Sequence, residues 1–312
     1  MNRIPFYLIS LNNKAEINGV LSFFYVRSVI NGRRLVSLPF SHCIKILYNN
    51  KENLDNLLKS AKKLSERLNL KYFEIRHGSN LAKATDLLDS CHLCSSKLKL
   101  THEINKIHND FDSNVKRAIR KAEKSPLKII HGNKLEHYYS FFKLTLETRK
   151  RQGSPCYPFQ FFKNLYYGLT VKGKAKLYLA CFQGEYIAGI IMLYHNRCAI
   201  YGYGASTSDK DYLKLRPNNL LFWHAIKKAH KNGYKVFDLG ATPYSNKGLL
   251  RFKSGWGTEQ NKLPYYYYLN SIESLPVIDR KGKLATLGNT VFKKMPLSVS
   301  RIIGPLILKQ LG

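Results

Sequence analysis

Few side chains in this sequence combine useful chemistry with a telling position. Asp238 closes on an apolar stretch, 236–239, in a chain with only 20 acidic residues. A carboxylate there can take a proton from a nucleophile or orient an amine. It can equally cap the loop that follows, or pair with Arg251 or Lys253. Arg149 ends a helical stretch just before Gly153-Ser154-Pro155. Its guanidinium could clamp a phosphate or carboxylate through two parallel bonds, or simply complement the helix C-terminus. Arg216 and Asn218 precede another helical stretch, and helix N-termini attract phosphate. Asn218 would serve equally well as an N-cap. Arg120 and Lys121 could line the path of a long anionic ligand or form a solvated basic face. Tyr201, Tyr203 and the run Tyr265–Tyr268 offer ring faces to a base or sugar, with plain strand packing as the alternative.

Metal chemistry finds little support. Cys91-His92-Leu93-Cys94 has His102 and His108 downstream, but the seven residues between Cys94 and His102 are few for a zinc finger, and no second Cys-x-x-Cys follows. No metal and no tightly bound cofactor are expected. The six cysteines are scattered, as in a reducing compartment.

The charge balance is one-sided. Lys and Arg number 51, giving a formal net charge of +31. Such a chain repels itself and favours anionic partners: nucleic acid, anionic lipid head groups or phosphorylated substrates. An AT-rich genome would explain many lysines but not so few acids. With 312 residues and 44% hydrophobic content, one large core or two ordinary ones can form. No apolar run approaches the roughly 18 residues of a spanning helix. The apolar segment 4–11 reads as a strand rather than a signal peptide. The expected location is the cytoplasm, with peripheral contact at the inner face of the membrane.

Those side chains need elements to hold them. Val20–Ile30 and Arg33–Phe40 read as strands about an Asn31-Gly32 turn. Leu54–Leu68 has helical apolar spacing, and Tyr72–Arg76 follows as a strand. Ile104–Lys124 reads as one basic helix, Leu135–Arg151 as a second and Gln160–Leu169 as a third. Strands are expected over 176–182, 186–194 and 198–205, a helix over 218–232, then strands over 236–239 and 265–269. The order is mixed α+β, and strands, helix, strand occur in both halves. Boundaries fall at 1–104, 105–270 and a basic amphipathic tail, 271–312, which could dock on the protein or lie on anionic lipid.

One stretch goes further. Residues 236–268, VFDLGATPYSNKGLLRFKSGWGTEQNKLPYYYY, resemble the C-terminal signature of FemAB-like proteins: Phe-Asp-x-Gly, a loop, Phe-Lys-x-x-Trp-Gly, an aromatic strand. Lys116–Lys124 (KRAIRKAEK), Arg149–Pro155 (RKRQGSP), the Tyr-Gly … Arg-Pro-Asn segment of 201–221, and GRRLVSLPF agree in order and spacing. The resemblance covers roughly residues 15–312.

It implies an α+β (α/β) fold of tandem GNAT-like domains, each a mixed twisted sheet flanked by helices, the first one shortened. It also implies transfer of an acyl or aminoacyl group to an amine, in cell-envelope or exopolysaccharide biosynthesis. The donor would be acyl-CoA or aminoacyl-tRNA, and the acceptor an anionic lipid-linked or nucleotide-linked precursor. Lys253 would face the reacting acyl group and stabilise its developing negative charge. Phe252, Tyr244 and Trp256 would stand with the substrate. Three departures are visible. The usual acetyl-CoA signature is missing, Ala241 stands where many relatives carry Arg, and the coiled-coil arm of glycyl-transferring members is absent. Two other readings stand beside this one: an acetyl-CoA N-acetyltransferase, and a non-catalytic basic protein that binds nucleic acid.

Overall fold

The computed structural model describes residues 4–29, 32–79, 81, 86–273, 275 and 283–311. Strands β1 (Pro5–Leu11), β2 (Ile17–Ser28) and β3 (Gly32–Val36) form an antiparallel run. Asn31, half of the expected turn, lies outside the described residues; Gly32 has a φ of 71°. The short β4 (Leu47–Tyr48) pairs with β2. Helix α1 (Lys51–Arg67) starts where Asn50 accepts a bond from the Asn53 amide, and it buries Leu54, Leu57, Leu58, Ala61 and Leu64. That stripe follows the spacing of the sequence. Strand β5 (Tyr72–Ile75) lies parallel to β3, and β6 (Leu88–Lys99) comes next.

The single helix expected over 104–124 is two: α2 (Ile104–Asn109) and α3 (Ser113–Glu123). Asp112 makes the break, its carboxylate accepting the Asn114 amide at 2.9 Å and restarting the helix. Strand β7 (Lys128–Gly132) was not anticipated; it is short and largely open to solvent. Helix α4 (Leu135–Gln152) ends at Gly153. In place of one helix over 160–169 stand α5 (Phe159–Leu165) and a π-helical turn, Tyr166–Thr170. Strands β8 (Ala175–Phe182), β9 (Glu185–His195) and β10 (Cys198–Ser206) are antiparallel hairpins. Helices α6 (Lys210–Lys214) and α7 (Pro217–Lys231) lead to β11 (Val236–Pro243), α8 (Lys247–Ser254) and β12 (Glu259–Leu269). The chain closes with α9 (Lys283–Lys294) and α10 (Leu297–Leu311).

Contacts divide the chain into two units. The first holds Met1–Cys94, Asn261–Asp279 and Ile307–Gly312, and the second Ser95–Gln260 and Arg280–Leu306. Strand order is β1-β2-β3-β5-β12 in the first and β11-β10-β9-β8-β7 in the second. Residues 261–270, placed by sequence in a 105–270 domain, therefore belong to the first unit. The reason is the antiparallel pairing of β12 with β5, from Tyr266↔Ile75 to Leu269↔Tyr72, a register that local sequence does not encode. Leu263 to Tyr267 are all buried, so both faces of β12 are covered there and the tyrosine run is strand packing.

In the first unit the core gathers Leu21, Phe23, Leu35, Leu58, Phe73 and Tyr266. The second unit has two apolar clusters. One joins β9, β10 and β11 to α7 around Phe222 and Trp256; the other packs α4 and α5 on β8 and β9 around Phe141 and Phe162. Helix α9 packs on α4. Among the described residues no helix is long and apolar enough to cross a membrane.

Candidate active site

β10 and β11 are parallel neighbours for only three residues: Cys198↔Val236, Ala199↔Phe237 and Ile200↔Asp238. Both strands then continue, β10 to Ser206 and β11 to Pro243. Beyond Ile200, β10 follows β9 alone, with a bulge between Tyr201 and Tyr203. A bulge bends and twists its strand, so the two parallel strands part at their carboxyl ends. Parted parallel strands leave main-chain polar groups facing a cleft, where ligands of open α/β sheets bind.

One wall of the cleft is the end of β11. Asp238 sits where the strands part, and its Oδ1 accepts the amide of Gly240 at 2.7 Å. Gly240 has a φ of 74°, a left-handed conformation that costs a residue with a Cβ about 1–2 kcal/mol. Successive carbonyls along a regular strand point to opposite edges. Here the turn at Gly240 brings two of them to one donor: Lys253 Nζ donates to Gly240 O at 2.9 Å and to Ala241 O at 3.3 Å. Lys253 comes from α8, which Asn246 opens by accepting the Leu249 amide. Its side chain is 4% exposed. A buried ammonium on carbonyl dipoles keeps its position, and its field is stronger there than in water.

The other wall is the bulged half of β10. Tyr201 and Tyr203 are half-buried, and burial raises both phenols, Tyr201 to about 12. The Arg149 charge acts on both hydroxyls in the opposite direction. Arg149 is held by the end of α4, which is tied to the end of β10. Thr148 Oγ1 donates to Ser206 O and accepts the Ser206 amide, both at 2.9 Å. Arg151 donates to Thr207 O at 2.8 Å. The Arg149 guanidinium lies 5.2 Å from the centre of the Tyr157 ring, and Tyr157 in turn meets Tyr203 edge-on at 5.8 Å. Among the described residues no carboxylate pairs with Arg149. A half-buried guanidinium stacked on an aromatic ring keeps a fixed two-pronged face that can bind an oxyanion.

The remaining candidates divide. Trp256 is fully buried, packing on Phe111, Phe222 and Phe252. It is a core residue that supports α8, not a contact for substrate. Phe252 is half-buried in the same cluster, against Phe222 at 5.5 Å. Tyr201 stacks on Phe222 from the strand side, 4.7 Å between centres. Tyr244 is half-buried in the turn between β11 and α8. Arg216 is exposed and is itself the N-cap of α7, with φ 62°; Pro217 is the first helical residue, so Asn218 lies inside the helix and is not its cap. Arg120 is exposed on α3, where its charge is felt at His108 together with those of Lys116 and Lys227. Cys91 and Cys94 lie on opposite faces of β6, one exposed and one buried. Two members of the site escape sequence reasoning: Tyr157, under the guanidinium, and Gly240, gripped from both sides. Gly240 was visible in Phe-Asp-x-Gly, but only the φ shows what it does.

Residues 109–254 match the family model described as an acetyltransferase (GNAT) domain. The lipid II:glycine glycyltransferase of Staphylococcus haemolyticus is 32% identical over 81 residues, 24% of this chain and 19% of that protein. The corresponding protein of Staphylococcus epidermidis is 30% identical over 82 residues, with the same shares. The chain thus spans about a fifth (19%) of the length of the curated relatives it matches. Among solved structures, FemX superimposes with a TM-score of 0.70 at 16% identity, over 86% of this chain and 89% of that one. A tandem GNAT protein from the clavulanic acid biosynthesis pathway gives 0.56 at 10% identity, over 88% and 85%.

The parted parallel strands lie within residues 109–254, the stretch that matches a GNAT domain. The mixed, helix-flanked sheet of the chain is similar in fold to FemX and to a tandem GNAT protein.

Proposed function

We propose that this chain transfers an aminoacyl group from aminoacyl-tRNA to an amine on an anionic cell-envelope precursor, forming an amide. The observation that carries the reading is the cleft between β10 and β11, with a buried ammonium on one wall and a stacked guanidinium beside the other. In such a transfer the acceptor amine attacks the acyl carbonyl. A C–N bond forms, the bond from that carbon to the leaving oxygen of the donor breaks, and the amine loses a proton to solvent or to the leaving group. Charge builds on the carbonyl oxygen in the transition state. Lys253 supplies a fixed positive field for it. Asp238 holds the Gly240 turn on which Lys253 is seated. Arg149, assisted by Arg216, receives the phosphate or carboxylate of the precursor, whether lipid-linked or nucleotide-linked. The absence of the usual acetyl-CoA signature and the glycyltransferase relatives favour aminoacyl-tRNA over acyl-CoA. Such a donor places the reaction at the cytoplasmic side of the membrane.

The matched GNAT domain favours a second reading, N-acetylation from acetyl-CoA. One experiment separates the two. Purified full chain is incubated with charged total tRNA or, separately, with acetyl-CoA. The acceptors are lipid II and its soluble nucleotide-linked precursor, and products are read by mass spectrometry. An added amino-acid residue in the tRNA arm alone supports the proposal. An added acetyl group in the acetyl-CoA arm alone replaces it with the second reading. No product in either arm overturns both.

A further inference from the structure

The tail turns an unusual face outward. Along α10 the docked ridge is Ser300, Gly304 and Leu308, at i, i+4 and i+8. Ser300 is 1% exposed and Leu308 8%. Ser300 and Gly304 lie on the loop after α4: Cys156 Sγ donates to Ser300 O at 3.1 Å. A Cβ at Gly304 would stand 2.8 Å from the Cys156 amide nitrogen, so the backbones approach as closely as glycine allows. The opposite ridge is Val299, Ile302, Leu306 and Lys309, at i, i+3, i+7 and i+10. Ile302 is 68% exposed, Leu306 62% and Val299 38%.

An ordinary surface helix buries its large aliphatics and shows its polar face. α10 departs from this: two of its three buried ridge positions are small, and it presents the branched aliphatics Val299, Ile302 and Leu306 to the outside. The charges around them have one sign. Lys293, Lys294, Arg301 and Lys309 are exposed, and residues 283–311 contain no Asp or Glu.

We infer that the outward face of α10 seats this protein on an anionic lipid surface. Exposed aliphatics enter the boundary between head groups and acyl chains, while flanking cations meet lipid phosphates. A second copy of the chain fits the face poorly, because a two-fold contact would set an acid-free basic surface against itself. A nucleic acid would use the cations but leave the aliphatics in water. The basic outer face of α3 differs in this respect: Arg117, Arg120, Lys121 and Lys124 recur there with no exposed aliphatic among them. The inference does not depend on acyl transfer and stands or falls without it.

Full-length protein is sedimented with vesicles of phosphatidylcholine alone and of phosphatidylcholine with about 30% phosphatidylglycerol. Two variants are compared: Ile302→Ser/Leu306→Ser, which alters exposed positions only, and Arg301→Gln/Lys309→Gln. We expect binding to the anionic vesicles that weakens with salt. The aliphatic pair should reduce it by about tenfold or more without changing the melting temperature. In a separate variant, Ile302→Trp, emission should shift to the blue on anionic vesicles, a readout that needs no loss of binding. Unchanged binding of the aliphatic double variant, equal binding to neutral vesicles, or no binding at all overturns the inference. So does a vesicle-free dimer that the double variant abolishes, which would make this face an interface between copies.

Discussion

Asp238 and Lys253 hold the same residue from its two ends. The carboxylate accepts the N–H of Gly240 at 2.7 Å, and the ammonium donates to its C=O at 2.9 Å. The turn so fixed lies where β10 and β11 part. Removing either side chain therefore has a structural effect and a chemical effect, and suitable substitutions separate them.

Lys253→Ala should lower transfer by two orders of magnitude or more, the scale seen when one preorganised charge-stabilising donor is lost (~10²–10³). It should also cost about 1–3 kcal/mol of stability, because two part-buried carbonyls lose their donor. Lys253→Arg keeps the charge but cannot occupy the same compact position. Urea unfolding read beside single-turnover rates distinguishes the two effects. If Lys253→Ala transfers normally, the assigned role is wrong.

Asp238→Asn retains an oxygen that can accept the Gly240 amide, whereas Asp238→Ala does not. If the carboxylate positions the turn, the Asn variant keeps its rate within a few-fold and the Ala variant loses about 1 kcal/mol of stability. A hundredfold fall in the rate of a fully stable Asn variant would instead make Asp238 the proton acceptor.

Arg149→Ala should raise KM for an anionic acceptor by about tenfold to a hundredfold with a smaller change in kcat, since the lost contact binds ground state and transition state alike. Arg149→Lys should recover only part of this, because an ammonium neither forks nor stacks on Tyr157 as a guanidinium does. Initial rates across acceptor concentration test it. A pure loss of kcat would place Arg149 in the chemistry instead.

Trp256→Ala should destabilise by about 3–5 kcal/mol, the usual cost of emptying a large aromatic site in a core. Any activity left at low temperature, where the variant is folded, should show an unchanged KM. A raised KM would return Trp256 to the substrate.

His224 shapes the response to acid. Burial lowers its pKa from 6.5 to about 4, helped by His131, Lys228 and Lys227. Its ring meets Tyr178 and His131 at 5.0 and 5.4 Å. The unfolded chain binds this proton near pH 6.5 and the folded chain only near 4, so stability falls as pH drops between those values and is independent of this group above them. Discounted for solvent screening, the loss is on the order of 1–2 kcal/mol. His224→Gln should flatten melting temperature against pH in that window, and an unaltered slope would assign the acid sensitivity elsewhere.

The sequence by itself determined the elements with strong periodicity and the motif residues. The stripe of α1, the hairpins 175–206 and helix α7 follow from the local spacing of apolar residues. Asp238, Lys253 and Arg149 were found because the types and order of their neighbours are distinctive. What local sequence did not contain was which segments meet. The break between α2 and α3 turned on one capping aspartate. The return of β12 to β5 turned on a pairing across nearly two hundred positions of chain. Trp256 read as a substrate contact by its place in the motif, yet burial makes it core. The grip of Asp238 and Lys253 on Gly240 needed a left-handed turn and a helix folded back on its strand, and it is the tertiary packing of α8 that brings the ammonium to those carbonyls.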